Sequence, residues 1–122
     1  MIEIVTNKEL NLINSFSEYK VILGTNPYNN CYYMKIDNQI IGFIEYAKIY
    51  DKAELNFIFV KEEYRKKGYA KELLYACEIW SKEIGCKEFA SDCELENLAS
   101  FKFHMAMGFA EANRIICFRK ML

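Results

Sequence analysis

The sequence predicts an α+β fold built on a mixed central sheet. Two observations carry that prediction. Three strand-like runs follow one another between residues 31 and 60, separated only by turn residues, as in an antiparallel meander. The hydrophobic period then switches to 3.6 over Tyr69 to Ile84, and a further strand-like run follows. Strand, helix and strand between residues 54 and 92 make one βαβ unit, whose strands are expected to be parallel neighbours joined by a right-handed crossover. The 122 residues suffice for a single domain spanning 1–122.

The elements follow in order. Residues 1–5 alternate as a short strand does. Thr6-Asn7-Lys8-Glu9 has the spacing of a capping box, opening a helix with Leu10, Ile13 and Phe16 inward. Gly24 to Asn30 is loop-like. Cys31 to Ile36 is the first meander strand, and Asp37-Asn38 supplies turn chemistry. Gln39 to Ala47 and Glu54 to Val60 follow, with a turn near Tyr50-Asp51-Lys52. Phe57, Ile58, Phe59 and Val60 are all apolar, which predicts a strand buried on both faces. Ala70, Leu73, Leu74, Cys77, Trp80 and Ile84 form one helical stripe, closed by Gly85. Lys87 to Asp92 is expected as a strand, Leu98 to Met107 as a helix ended by Gly108, and Arg114 to Met121 as a final strand.

Composition excludes several classes. Hydrophobic residues make up 52% and charged residues 27%, the balance of a folded chain. A formal net charge of −1 provides no global field for nucleic acid, so an anion site has to be local. No apolar run approaches the ~20 residues of a membrane span, and no signal peptide is evident. Five cysteines without a C-x-x-C pair, and a single histidine, argue against a metal site and for a cytoplasmic protein with reduced thiols.

The chemistry concentrates at Arg65-Lys66-Lys67-Gly68-Tyr69-Ala70, between a strand and a helix. Helix-initial N–H groups, a glycine and three cations make a cradle for an anion, most naturally phosphate. A solvated basic turn is the plainer alternative. The spacing is neither that of a nucleotide-hydrolysing P-loop nor that of a dinucleotide fold.

Val60 to Leu74, with its R-x-x-G-x-A core, resembles the acetyl-CoA signature of the GNAT N-acetyltransferases. The resemblance extends over residues 39–122. Glu78 to Lys82, Glu88 to Asp92, Asn97 with Ser100 and His104, Gly108-Phe109 and Arg114 to Lys120 are similar to aminoglycoside 6'-N-acetyltransferases.

The resemblance implies a GNAT-like mixed sheet, an antiparallel meander plus a parallel βαβ unit whose two strands splay apart to hold acetyl-CoA, with no metal. The main chain of Ile58, Phe59 and Val60 would hold pantetheine, as an added strand is held. Arg65, Lys66, Lys67, Gly68, Tyr69 and Ala70 would hold the pyrophosphate, and Asn97 the cofactor arm. Transfer to an amine needs a base for the ammonium proton and an acid for the thiolate. A bulge N–H on the splayed strand would stabilise the oxyanion. The branch pattern Leu-Glu-Gly-Ile-Phe-Val would place its acid at Asn56, so Glu54, two residues earlier and in the register of other members, is the expected base. Asp92 would bind a cationic acceptor or serve as an alternative base, and His104 would protonate the thiolate. As plainer readings, Glu54 is a surface charge, Asp92 a turn carboxylate and His104 a structural side chain. Before the meander the chain is shorter than the aminoglycoside branch and lacks its Trp, so the acceptor site is either more open or completed by a partner subunit.

The implied activity is acetyl transfer from acetyl-CoA to a small-molecule or peptide amine by direct attack. An aminoglycoside acceptor comes first, with ribosomal-protein-type N-terminal acetylation as the alternative and a non-catalytic acyl-CoA sensor as a third reading. The aromatic content of 16% permits a homodimer.

Overall fold

The computed structural model describes residues 2–4 and 29–122. The helix expected after the Thr6 capping box, and most of the loop that begins at Gly24, lie outside the described residues. Two compact units divide the chain, Met1–Asp92 and Cys93–Leu122.

The first unit is a five-stranded sheet in the order β1 (Ile2–Ile4), β2 (Asn29–Ile36), β3 (Gln39–Ile49), β4 (Lys52–Val60) and β5 (Glu88–Ala90). The first four strands pair antiparallel and β5 pairs parallel to β4, so the sheet is mixed. Asp37 and Asn38 both take positive φ, 51° and 68°, in the two-residue loop between Ile36 and Gln39. That is the loop twist a tight hairpin requires, and Asp and Asn tolerate it. The second hairpin turns at Tyr50, a residue poorly suited to its φ of 57°.

Helix α1 (Tyr69–Glu83) returns the chain from β4 to β5. Its stripe packs on the sheet: Leu73, Leu74 and Cys77 are buried, and the Trp80 ring meets Tyr46 of β3 at 4.6 Å. Each buried leucine contributes about 1.5–3 kcal/mol. Gly85, at φ 84°, follows the helix in the left-handed conformation that ends it.

The doubly buried strand is β3, where Ile40 to Ile44 are buried without alternation. This corrects the expectation for β4. Phe57, Ile58 and Phe59 are only half-buried, and they lie beyond Glu54, where the ladder with β5 stops.

The second unit contains helix α2 (Leu98–Ala106), ended by Gly108 at φ 91°. The strand expected over 114–121 does not form. Strand propensity needs a ladder partner to be realised, and among the described residues this stretch has none.

Candidate active site

Strand β4 has two different edges. One runs along β3 for its whole length. The other is covered by β5 only through the pairs Lys52–Glu88, Ala53–Phe89 and Glu54–Ala90. From Leu55 to Val60 that edge pairs with no strand among the described residues. The parallel strands therefore part at Glu54, as the family resemblance implies.

A bulge lies just beyond this point. Glu45 faces Phe57 while its neighbour Tyr46 faces Leu55, so Asn56 is an extra residue on β4. A bulge residue is left out of the ladder and bends its strand. Asn56 is exposed and Leu55 buried.

The register decides which backbone groups face outward. A Cβ on Gly42 would meet the Phe59 carbonyl at 2.6 Å, and Lys61 N–H donates to Ile41 O at 2.8 Å. Phe59 and Lys61 thus address β3. Alternation then turns the N–H and C=O of Ile58 and Val60 toward the open edge. Of the three main-chain positions singled out in the sequence, two present themselves there and Phe59 does not.

At the end of β4 the chain makes a short 3-10 turn (Glu62–Tyr64) and enters α1 through Gly68 at φ 86°. The first intrahelical bond is Glu72 N–H to Gly68 O, so the N–H groups of Tyr69, Ala70 and Lys71 precede the ladder. Gly68 has no side chain to cap them, and no atom lies within 4 Å of where its Cβ would be. Open space, positive helix end and unclaimed donors fit a phosphate group.

The three cations differ. Arg65 turns back, its Nε–H donating to the Val60 carbonyl at 2.8 Å and its guanidinium 5.6 Å from the Phe59 ring. Lys67 lies 5.7 Å from the Tyr64 ring. Lys66 is exposed and holds a left-handed φ of 61°. Arg65 therefore joins the loop to the strand, a role its basic context alone did not disclose.

Among the carboxylates, Glu54 is half-buried at the last β4–β5 pair, beside Ala90. Asp92 is exposed, two residues beyond the end of β5. Glu45 was passed over in the sequence although it is the one charged residue between Ile40 and Ala47 of β3. It faces Cys31 on β2 and Phe57 on β4, beside the bulge. Burial first, then the Glu45 charge, pushes the Cys31 thiol up to about 12. Cys77 rises for the same leading reason, so neither buried thiol has the thiolate character of a nucleophile.

Asn97 and His104 belong to the second unit. Asn97 is the N-cap of α2, its side-chain oxygen accepting from Ser100 N–H at 3.1 Å. His104 Nδ1 lies 2.7 Å from the Ser100 carbonyl, which can only accept. Nδ1 therefore carries the hydrogen of that bond. The ring stands edge-on to Phe109 at 5.1 Å. Among the described residues no group of three or more His, Cys, Asp or Glu side chains could hold a metal ion.

This architecture is that of known proteins. The sequence model of the acetyltransferase (GNAT) family matches residues 6–109. The chain belongs to this family. An aminoglycoside N(6')-acetyltransferase type 1 of Serratia marcescens is 34% identical over 116 residues, covering 87% of this chain and 79% of that protein. The enzyme of the same name from Acinetobacter baumannii is 47% identical over 68 residues, 56% of this chain and 47% of that protein. Among solved structures, the aminoglycoside N-acetyltransferase AAC(6')-Iy in complex with CoA superposes with a TM-score of 0.85 at 27% identity, covering 100% of both chains. Its complex with the bisubstrate analogue CoA-S-monomethyl-acetylneamine gives 0.81 at 25% identity, over 100% of this chain and 98% of that one. No helix among the described residues is long and apolar enough to cross a membrane.

Proposed function

We propose that this GNAT protein transfers acetyl from acetyl-CoA to the 6'-amine of an aminoglycoside. The observation that carries the reading is the open edge of β4 leading directly into the uncapped start of α1, in a chain that matches an aminoglycoside 6'-N-acetyltransferase over 87% of its length. The residues fit acetyl-CoA. Ile58 and Val60 offer strand-like hydrogen bonds to the pantetheine amides, and Gly68, Tyr69 and Ala70 offer N–H donors to the pyrophosphate, with Lys66 and Lys67 adding charge. Both units are assigned to one N-acetyltransferase domain over 1–122. Five free cysteines, two of them buried, suit a reducing cytoplasmic location.

Acetyl-CoA supplies an activated thioester, and this chain's residues supply alignment and proton transfer. Glu54 accepts a proton from the acceptor ammonium, directly or through water, so that the neutral nitrogen can attack. The Asn56 bulge turns a main-chain N–H toward charge developing on the carbonyl oxygen. His104, when both ring nitrogens are protonated, gives its Nε2 proton to the departing sulfur. Asn97, while capping α2, keeps its amide NH₂ for the cofactor arm. Asp92, with Glu94 and Glu96 following it, attracts a polycationic acceptor.

The test is thiol release from acetyl-CoA with three acceptors: an aminoglycoside with a free 6'-amine, its 6'-hydroxyl analogue and an alanyl peptide. Turnover with the amine alone is the expected result. Turnover with the peptide alone moves the protein to N-terminal acetylation, and acetyl-CoA binding without any turnover identifies a sensor.

A further inference from the structure

Every residue of β3 from Ile40 to Ala47 is buried except Glu45, which is half-buried and carries the only charge of that stretch. The register places its side chain. Tyr46 meets Trp80 of α1, so Tyr46 points to the helix-covered face of the sheet and Glu45, its neighbour, to the opposite one. Phe43, two residues back, stands on that opposite face, with the rings of Phe57 and Phe59 at 5.8 and 5.9 Å. Ala47, two residues on, also stands there and pairs with Glu54. Glu45 and Glu54 therefore share one face of the sheet.

They are also close. Glu45 pairs with Phe57, Ala47 pairs with Glu54, and the bulge residue Asn56 lies between Glu54 and Phe57. Glu45 and Glu54 are thus diagonal neighbours across the bulge, a relationship that sets residues roughly 7–8 Å apart. Two glutamate side chains at that spacing can converge on one small cation. Like charges on neighbouring strands repel, and a cation between them relieves the repulsion. The charge of Glu45 is felt on this face: after burial, it is what raises the thiol of Cys31, its partner on β2.

We propose that Glu45 is an acceptor-binding residue, its carboxylate accepting one N–H of the acceptor's ammonium while Glu54 accepts another. The proposal rests on the acetyl-transfer reading, in which Glu54 is the base and the splay beside the bulge is the site. A primary ammonium carries three N–H groups, so it can address both carboxylates at once. A carboxylate offers about four acceptor positions on two oxygens, and a bond that Glu45 makes within the protein leaves room for this one. The proton that Glu54 takes leaves a neutral amine whose remaining N–H still donates to Glu45, beside the bulge. A hydroxyl has one hydrogen and no charge, so it cannot satisfy both carboxylates. The pair thereby favours an amine over an alcohol at the reacting position.

The experiment is calorimetric titration of the CoA-loaded full-length chain, which holds no acetyl group to transfer. The ligands are neamine and its analogue with a hydroxyl in place of the 6'-amine. Wild type is expected to bind neamine more tightly. In Glu45→Gln, neamine is expected to bind about tenfold more weakly, as loss of a charge-assisted bond predicts, and the analogue less than about twofold. A wild type without preference, equal weakening of both ligands in the variant, or weakening of neither would each overturn the proposal. If Glu45→Gln does not fold, the side-chain carboxyl ¹³C resonance of Glu45 in the wild type decides. It is expected to shift with neamine and to stay with the analogue; a shift with both, or with neither, overturns the proposal. Failure of the acetyl-transfer reading looks different, since wild type then binds neither ligand, and the proposal falls with it.

Discussion

The Nε of Arg65 lies 2.8 Å from the carbonyl oxygen of Val60, tying the anion loop to the end of the strand with the open edge. The two parts of the proposed cofactor site are thus linked by a hydrogen bond within the protein. Replacing Arg65 by Ala removes this charge-assisted bond, worth about 1.5 kcal/mol or somewhat more. About a tenfold rise in the KM for acetyl-CoA is expected, with a smaller change in kcat. Steady-state kinetics on Arg65→Ala and Arg65→Lys check it. Equal loss in both variants would show that the bond to Val60 is not what Arg65 contributes, since lysine can restore a single donor.

Gly42 is the second point of control over β4. Its Cβ would press on the Phe59 carbonyl at 2.6 Å and on the Val60 Cα at 3.2 Å, both backbone atoms that cannot step aside cheaply. The Gly42→Ala variant is expected to lose about 1–3 kcal/mol of stability, as overpacking does, and to bind CoA more weakly because the open edge moves. Urea denaturation and calorimetric titration check the two effects separately.

Tyr50 points the other way. Its left-handed φ of 57° costs about 1–2 kcal/mol, and its ring is 91% exposed, so little packing offsets that cost. The Tyr50→Gly variant is expected to gain about 1 kcal/mol, seen as a rise in Tm of about 4 °C. A drop in Tm would show that the ring makes a contact worth more than the strain.

Alkaline pH is expected to destabilise the protein through Cys31 and Cys77. Burial holds the Cys31 thiol at about 12, against an ordinary value of 9.0, and raises Cys77 also. Above pH 9 the unfolded chain loses these protons while the folded chain keeps them, so the folded state binds more protons and stability falls as pH rises. The slope approaches about 1.4 kcal/mol per pH unit per thiol between pH 9 and 12. Denaturation midpoints across that range check it, and Cys31→Ala is expected to flatten the curve. Thiol titration of the native protein is expected to label Cys93 and Cys117, both exposed, well before Cys31 or Cys77.

Much of the fold was legible because its signals are local. Turn residues at Asp37-Asn38, the stripe from Ala70 to Trp80 and glycines at 85 and 108 each announce an element within a few residues. The site was legible where it rests on backbone: an R-x-x-G-x-A turn before an amphipathic helix implies uncapped donors whatever surrounds it. Three features were not legible, for one reason: each depends on a neighbour remote in sequence. The position of the bulge, at Asn56, cannot be read from the strand itself, and only the pairing of Glu45 and Tyr46 on β3 fixes it. The Arg65 bond needs the carbonyl of Val60 to point outward, which the register with Gly42 and Phe43 decides. Residues 114–121 have the composition of a strand, but composition cannot supply a partner.

The most direct test of the cofactor site is the change in backbone amide resonances when acetyl-CoA is added to ¹⁵N-labelled protein. The geometry predicts the largest shifts at Ile58, Val60, Gly68, Tyr69 and Ala70, with Lys61, whose N–H is held by Ile41, moving less. Shifts confined to other residues, or none at saturating acetyl-CoA, would contradict the assignment of the open β4 edge and the start of α1 as the site.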